Sequence, residues 1–388
     1  MDNHDELLTP GRRRRPCQKK PPWRTHQRAL LLVLAMVISV ILSACSTPPP
    51  LVPYSVDTPP LVLVPASVAG VQDKRGRFRE IFCQILEARG SSLPDNRPCD
   101  EALTRVGAEP AGTGERVELG PSRRRLIAAI VPGVGWDCFS DWLDLQGSIA
   151  AHLRQFGYDQ IALAVDGLSG SANNARQIRD AIMQREPEAT EPRLVLIGYS
   201  KGAPDILEAV VSYPEIRPRV AAVVSAGGAV GGSPLANDAD QSQLAILQRW
   251  PGARCTPGDG RAVESLRPGT RQAWLAGNTL PGDLPYYSVV TFPEPGRISR
   301  VLSAGYTKLS RVDARNDSQM LFYDQVIPGS TLVGYLNADH WALGVPIARS
   351  HPLLGSTLVS HNAYPREALL EALLRFVEWD LEKRGRRN

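Results

Sequence analysis

Apolar positions change their rhythm along the chain, and the change near residue 123 separates two kinds of architecture. Beyond it, short and almost unbroken apolar runs alternate with longer amphipathic ones. The runs are "RLIAAIVPG", "YDQIALAVDG", "RLVLIGYS", "RVAAVVSAGG", "YYSVVTF" and "STLVGYL". A strand without polar alternation is buried on both faces, so these runs predict a parallel sheet covered by helices on both sides. The helices expected between them include residues 142–156, 171–183 and a stretch ending at Val211; "REALLEALLRFVEWDLEKR" follows the last strand. In the second of these, Ala175, Ile178 and Ile182 fall on one face, as a helix lying on a sheet requires. The fold class expected is therefore α/β over residues 123–388. An insertion at about 234–285 carries two helical stretches, "QSQLAILQRW" and "GRAVESLRPGTRQAWL". Excursions of that size between regular strands are usually functional, so a lid over a site is expected.

Before residue 123 the pattern is weaker. Residues 71–122 hold one amphipathic stretch, "RFREIFCQILEARG", with Phe78, Ile81, Phe82 and Ile85 in register. Fifty residues bury too little surface to stand alone, so a small N-terminal appendage is expected. Residues 45–70 are dense in proline, which fixes φ and removes a hydrogen-bond donor, and read as a semi-extended tether. Residues 1–44 combine a basic stretch with the apolar run "ALLLVLAMVISVILSAC", which is short for a spanning helix and ends on small residues. The end of that run, Leu42-Ser43-Ala44-Cys45, resembles the bacterial lipoprotein signal. The resemblance implies cleavage before Cys45, acylation of its thiol and anchorage to a membrane; Ser46 in the next position favours the outer membrane, facing the periplasm.

Charge adds little beyond this. The chain of 388 residues has a formal charge of +4, but eight cations against three acids precede residue 29, leaving a leader near +5 and a remainder near −1. The body therefore lacks the electrostatic footprint of a nucleic-acid partner. Removing Cys17 in the leader and Cys45 leaves Cys83, Cys99, Cys138 and Cys255, an even set that permits two disulfides in an oxidising compartment, with Cys83 and Cys99 closing a short loop. No CxxC or His/Cys cluster points to a metal, and no cofactor is implied.

Candidate chemistry centres on Gly198-Tyr199-Ser200-Lys201-Gly202. With 33 glycines in the chain a Gly-x-Ser-x-Gly match is weak by itself, but this one ends an apolar strand and opens a helix. That is the setting in which a sharp, strained turn exposes a serine as nucleophile. The amide of Lys201 would face an oxyanion at Ser200, and a second donor is expected from the loop "IVPGVGWDCFSDW", at Val134 or Gly135. The Lys201 side chain is expected at the mouth of the acyl pocket, with no role; a serine-lysine dyad is rejected because neighbours on an elbow point different ways. Of the histidines after Ser200, His340 directly follows the last apolar strand and is the expected base, while His351 and His361 lie in a polar loop. The orienting acid stays open between Asp317 in "ARNDSQM", preferred as turn chemistry, Asp324 in "FYDQVIPGS" and Glu294 after "YYSVVTF".

Together, "GYSKG", "GGAVGGSPLAND", "RNDSQM" and "ADHWAL" resemble serine hydrolases of the α/β-hydrolase superfamily, especially lipase-like members. The likeness covers about Arg125 to Leu381 and implies the α/β-hydrolase fold with Ser200 as nucleophile, Asp317 as acid and His340 as base. Two positions depart from the family pattern: Tyr199 stands where many lipases have histidine, and Ser318 replaces the glycine of the acid turn. The expected activity is cleavage of carboxylic esters, on small-molecule or lipid substrates, through an acyl-enzyme. An acyltransferase using the same residues, and an inactive hydrolase-fold binding lipoprotein, are the alternatives.

Overall fold

The computed structural model describes Leu51 and residues 70–139, 147–186, 194–239 and 254–385. All of these belong to one unit, Leu51–Asn388. The leader with Cys45, nearly all of the tether and the expected helix over 241–250 lie outside the described residues.

Seven parallel strands form one sheet in the order β1-β7-β6-β5-β4-β2-β3. They are β1 (Gln72–Asp73), β2 (Ile127–Val131), β3 (Asp159–Ala162), β4 (Leu194–Tyr199), β5 (Val220–Ala226), β6 (Tyr286–Thr291) and β7 (Thr331–Leu336). Six coincide with the apolar runs of the sequence. Side chains alternate across the sheet as strand geometry demands. On β4, Leu194 and Leu196 enter one core, with Ala175, Ile178 and Ile182 of α3 (Ser171–Met183) and Ile206, Leu207 and Val210 of α4 (Gly202–Ser212). Val195, Ile197 and Tyr199 enter the other, with Phe78 and Phe82 of α1 (Arg75–Arg89), Leu153 of α2 (Gly147–Gln155) and Leu369, Leu373 and Phe376 of α8 (Arg366–Gly385).

The residues expected as a small appendage, too few to stand alone, contribute a strand and a helix to this body. β1 pairs with β7 through Gln72↔Thr331 and Asp73↔Leu332, and Phe78, Ile81, Phe82 and Ile85 are all almost fully buried against α8. The apolar stripe of α1 is what the sequence showed; what it lacked was a partner, which the C-terminal helix supplies some 290 residues later. A disulfide, Cys83–Cys99, ties α1 to the segment that follows it.

In the insertion, the stretch expected as one helix splits into α5 (Ala262–Leu266) and α6 (Pro268–Gly277). Arg267 is extended (ψ 133°) and Pro268 starts the next helix, since proline cannot continue a hydrogen-bond ladder but suits a first turn. Trp274, Leu275 and Leu280 pack onto the α3/α4 core, and Arg271, 2% exposed, donates to the Val230 carbonyl. A second disulfide, Cys138–Cys255, fastens the insertion to the loop after β2, beside the hydrogen bond from Thr256 N to Asp137 Oδ2.

Polar burial holds the α1/α2/α8 layer together. The carboxylate of Glu371 on α8 sits 2.8 Å from His152 Nε2 of α2 and accepts from Arg89 Nη2 of α1 at 2.8 Å and Arg375 Nε at 2.7 Å. Burial pushes this carboxyl up, but the bonds from His152 and Arg375 outweigh it and hold it below the usual range. Removing one partner of such a network leaves buried charge uncompensated. Glu371→Ala is therefore expected to lower the free energy of unfolding by about 3–5 kcal/mol in denaturant titrations.

Candidate active site

Ser200 stands where β4 meets α4, with a left-handed backbone (φ +56°), one of four described non-glycine residues with positive φ. The turn is possible because its neighbours are small. A Cβ on Gly198 would come within 2.4 Å of Ala203 Cα, and one on Gly202 within 2.1 Å of the Val131 carbonyl. The Ser200 carbonyl accepts from Ala203 N (3.2 Å) and Ala229 N (2.9 Å), which pins the strained residue from the helix and from the loop after β5.

His340 opens α7 (His340–Gly344), directly after β7, with Asp339 as N-cap. Its Nε2 lies 3.0 Å from Ser200 Oγ and its Nδ1 lies 2.8 Å from Asp317 Oδ2. Its own N–H donates to the Asp317 carbonyl at 2.9 Å. Asp317 is fully buried: Oδ2 also accepts from Thr291 Oγ1 (2.8 Å), and Oδ1 from Gln319 N (2.9 Å) and Met320 N (2.8 Å). Thr291 is in turn held by Gln325 through its N–H and carbonyl. Neither Thr291 nor Gln325 stood out in the sequence, because a threonine at a strand end and a glutamine in a loop carry no motif.

The other acid candidates do not reach the histidine. Asp324 lies against Gly231 and no described residue hydrogen-bonds its carboxylate, and burial alone pushes it up to about 7. Glu294 is exposed and faces Arg297. Asp339 turns to Ala342 N and Ser299 N. Ser318, in the position where the resemblance called for glycine, takes the glycine conformation regardless (φ +82°), and its hydroxyl is buried without a hydrogen-bond partner among the described residues.

Of the expected oxyanion donors, the N–H groups of Lys201 and Val134 have no hydrogen-bond partner among the described residues, and Val134 packs its side chain against Leu168 and Ala262. Gly133 lets this loop close on the serine, since a Cβ there would come within 2.7 Å of Ser200 Cβ. Gly135 is corrected: its N–H already donates to the Gly167 carbonyl at 3.1 Å, so it is not free to meet an oxyanion. The Lys201 side chain is corrected too. It is 1% exposed, with Nζ 2.7 Å from both oxygens of Asp205, which also accepts from Asn174 Nδ2 at 2.7 Å. Burial pulls this ammonium below its ordinary range despite Asp205. Asp205, with Asn174, ties α4 to α3, and the ammonium is buried beside it, away from solvent. An apolar cavity of about 120 Å³ lies on the opposite side of β4, lined by Ile130, Trp136, Tyr199, Leu343 and Leu369, with Arg366 at its wall.

A crystal structure of the metagenomic carboxyl esterase MGS0156 matches this chain at 39% identity, over 84% of this chain and 97% of that one, with a TM-score of 0.76. The chain belongs to the carboxyl esterases of α/β-hydrolase fold. It is a carboxyl-ester hydrolase. Lipases from Staphylococcus hyicus (11% identity, 70% of this chain and 99% of that one, TM-score 0.49) and Bacillus licheniformis (the mature form of BlEst2; 19%, 63% and 95%, TM-score 0.46) also match. No family model and no curated protein matches.

Two tests follow from the esterase's acidic residues and their turn. In the fold, Asp324 binds its proton more tightly than in the unfolded chain, so its cost is absent below about pH 4, grows through the window up to about 7 and then stays constant. Asp324→Asn should therefore match the wild type in stability at pH 4 and exceed it by up to about 4 kcal/mol above pH 7, read from urea midpoints. Ser318→Gly should raise stability by about 1 kcal/mol by removing left-handed strain; a lower melting temperature would refute that.

Proposed function

We propose that the esterase cleaves its ester through a covalent acyl-enzyme on Ser200, with His340 as general base and acid and Asp317 as the orienting acid. The observation that carries this reading is the continuous series Ser200 Oγ, His340 Nε2, His340 Nδ1, Asp317 Oδ2 at 3.0 and 2.8 Å, set on a strained strand-to-helix turn. With Nδ1–H donated to Asp317, Nε2 is the lone pair that takes the Ser200 proton as Oγ attacks the ester carbonyl. The developing oxyanion meets the N–H groups of Lys201 and Val134. Imidazolium then returns the proton to the leaving alcohol, and a water activated by the same nitrogen releases the acid.

The reading extends to location. The leader, the Leu42-Ser43-Ala44-Cys45 end and the two disulfides support an esterase anchored through acylated Cys45 and working outside the cytoplasm, at the outer membrane facing the periplasm.

On p-nitrophenyl esters, Ser200→Ala and His340→Ala should each lose about 10⁴–10⁶-fold in kcat, and Asp317→Asn about 10⁴-fold. A fluorophosphonate should label the wild type and not Ser200→Ala; equal labelling of the two rejects the mechanism. Cys45→Ala should move the protein from the membrane fraction to the soluble one and abolish incorporation of radiolabelled palmitate. Unchanged incorporation rejects the anchor.

A further inference from the structure

Tyr199 precedes the reacting serine, and the alternation of β4 sends its side chain away from the α3/α4 core that holds Lys201, into the layer under α7. There its hydroxyl donates to the His340 carbonyl at 2.7 Å, and its ring stacks beneath the imidazole, with centroids 4.9 Å apart and planes 22° apart. One turn further along α7 the helix carries Gly344, where a Cβ would come within 2.5 Å of the tyrosine ring. Positions four apart on a helix share a face. The ring therefore occupies a slot under His340 that only a residue without a side chain at 344 leaves open.

We propose that Tyr199 is the positioning residue of the base: its hydroxyl fixes the height of the His340 backbone over Ser200, and its ring face stabilises the imidazolium formed during the reaction. This rests on the reading of Ser200 and His340 given above. The two hydrogen bonds at the ring nitrogens orient the imidazole; the main chain of His340 is held at its N–H by the Asp317 carbonyl and at its carbonyl by the tyrosine hydroxyl, the bond that ties it to the strand carrying Ser200. A cation over an aromatic face within about 6 Å is attracted by the ring quadrupole. Tyrosine suits the place because it stays neutral: burial first, then the charges of Asp317 and Asp339, hold its phenol well above the ordinary range. Among the described residues, these groups face His340. Asp317 meets Nδ1, Ser200 meets Nε2 and Tyr199 lies beneath, while the Asp339 carboxylate is taken up by Ser299 N and Ala342 N. Arg366 of α8 lies within electrostatic range of Tyr199.

The test compares full-length wild type, Tyr199→Phe, Tyr199→Leu and Ser200→Ala. Tyr199→Phe keeps the ring and drops the anchor; it should lower kcat by about fivefold with KM nearly unchanged, and slow fluorophosphonate labelling to the same degree. Tyr199→Leu removes both. It should lower kcat by about fiftyfold and move the acid limb of the kcat/KM profile to lower pH by about half a unit, because the imidazolium has lost its support. A purely structural residue would lower the amount of active enzyme, counted by labelling, and leave the limb in place. The proposal is overturned if Tyr199→Phe keeps kcat and labelling rate within twofold of wild type, a result that decides the matter even where Tyr199→Leu does not fold. It is equally overturned if folded Tyr199→Leu keeps the wild-type limb. Retained activity in Ser200→Ala would instead refute the underlying mechanism, so the two failures are distinguishable.

Discussion

The left-handed turn at Ser200 is the constraint around which the rest is arranged. A non-glycine residue at positive φ costs about 1–2 kcal/mol and persists only where its surroundings over-determine it. Here the surroundings come from both sides. Gly198 and Gly202 let β4, α4 and β2 approach within contact distance, and the Ser200 carbonyl is held by two amides from different segments. The buried pair of Lys201 with Asp205, joined by Asn174, ties the start of α4 to its next turn and to α3. An ion pair taken so fully out of water is weak evidence of net stability. Both charges lie at the start of α4 itself, so what fixes the helix against α3 is the bond from Asn174: displacing α4 would strip a donor from a buried carboxylate.

The two neighbours of Ser200 are thereby given to opposite faces of the sheet. Lys201 binds the helix behind the serine, and Tyr199 binds the helix that carries the histidine. Because strand geometry fixes which face each side chain enters, the three adjacent residues reach three different parts of the fold. That division explains why no dyad of serine and lysine forms: the lysine is committed on the far side of the turn.

Much of this was legible in the chain. Six strands and the helix after β4 follow from the apolar runs and the small residues at the turn, and the chain also offered Ser200, Asp317 and His340, which the fold brings within hydrogen-bonding distance of one another. What was not legible is long-range. The partner of α1 lies at the other end of the chain, so its stripe looked like an appendage. Gly135 looked as good a donor as Val134 until its amide found the Gly167 carbonyl, a bond between loops that no local pattern encodes. The split of α5 from α6, by contrast, was written in Pro268 and needed only to be weighted.

The three candidate carboxylates show most clearly why composition and turn type cannot assign a role. Asp317, Asp324 and Glu294 are carboxylates of nearly equal intrinsic strength, all between β6 and β7. Their surroundings separate them: Asp317 receives three donors besides the histidine, Asp324 receives none among the described residues, and Glu294 stands in water beside an arginine. A buried carboxylate needs its lone pairs occupied, and Thr291 with the amides of Gln319 and Met320 do this for Asp317. The same turn that supplies those amides forces Ser318 to positive φ. Strain at Ser318 is thus the local consequence of bringing two successive backbone donors, Gln319 N and Met320 N, to bear on one carboxylate oxygen.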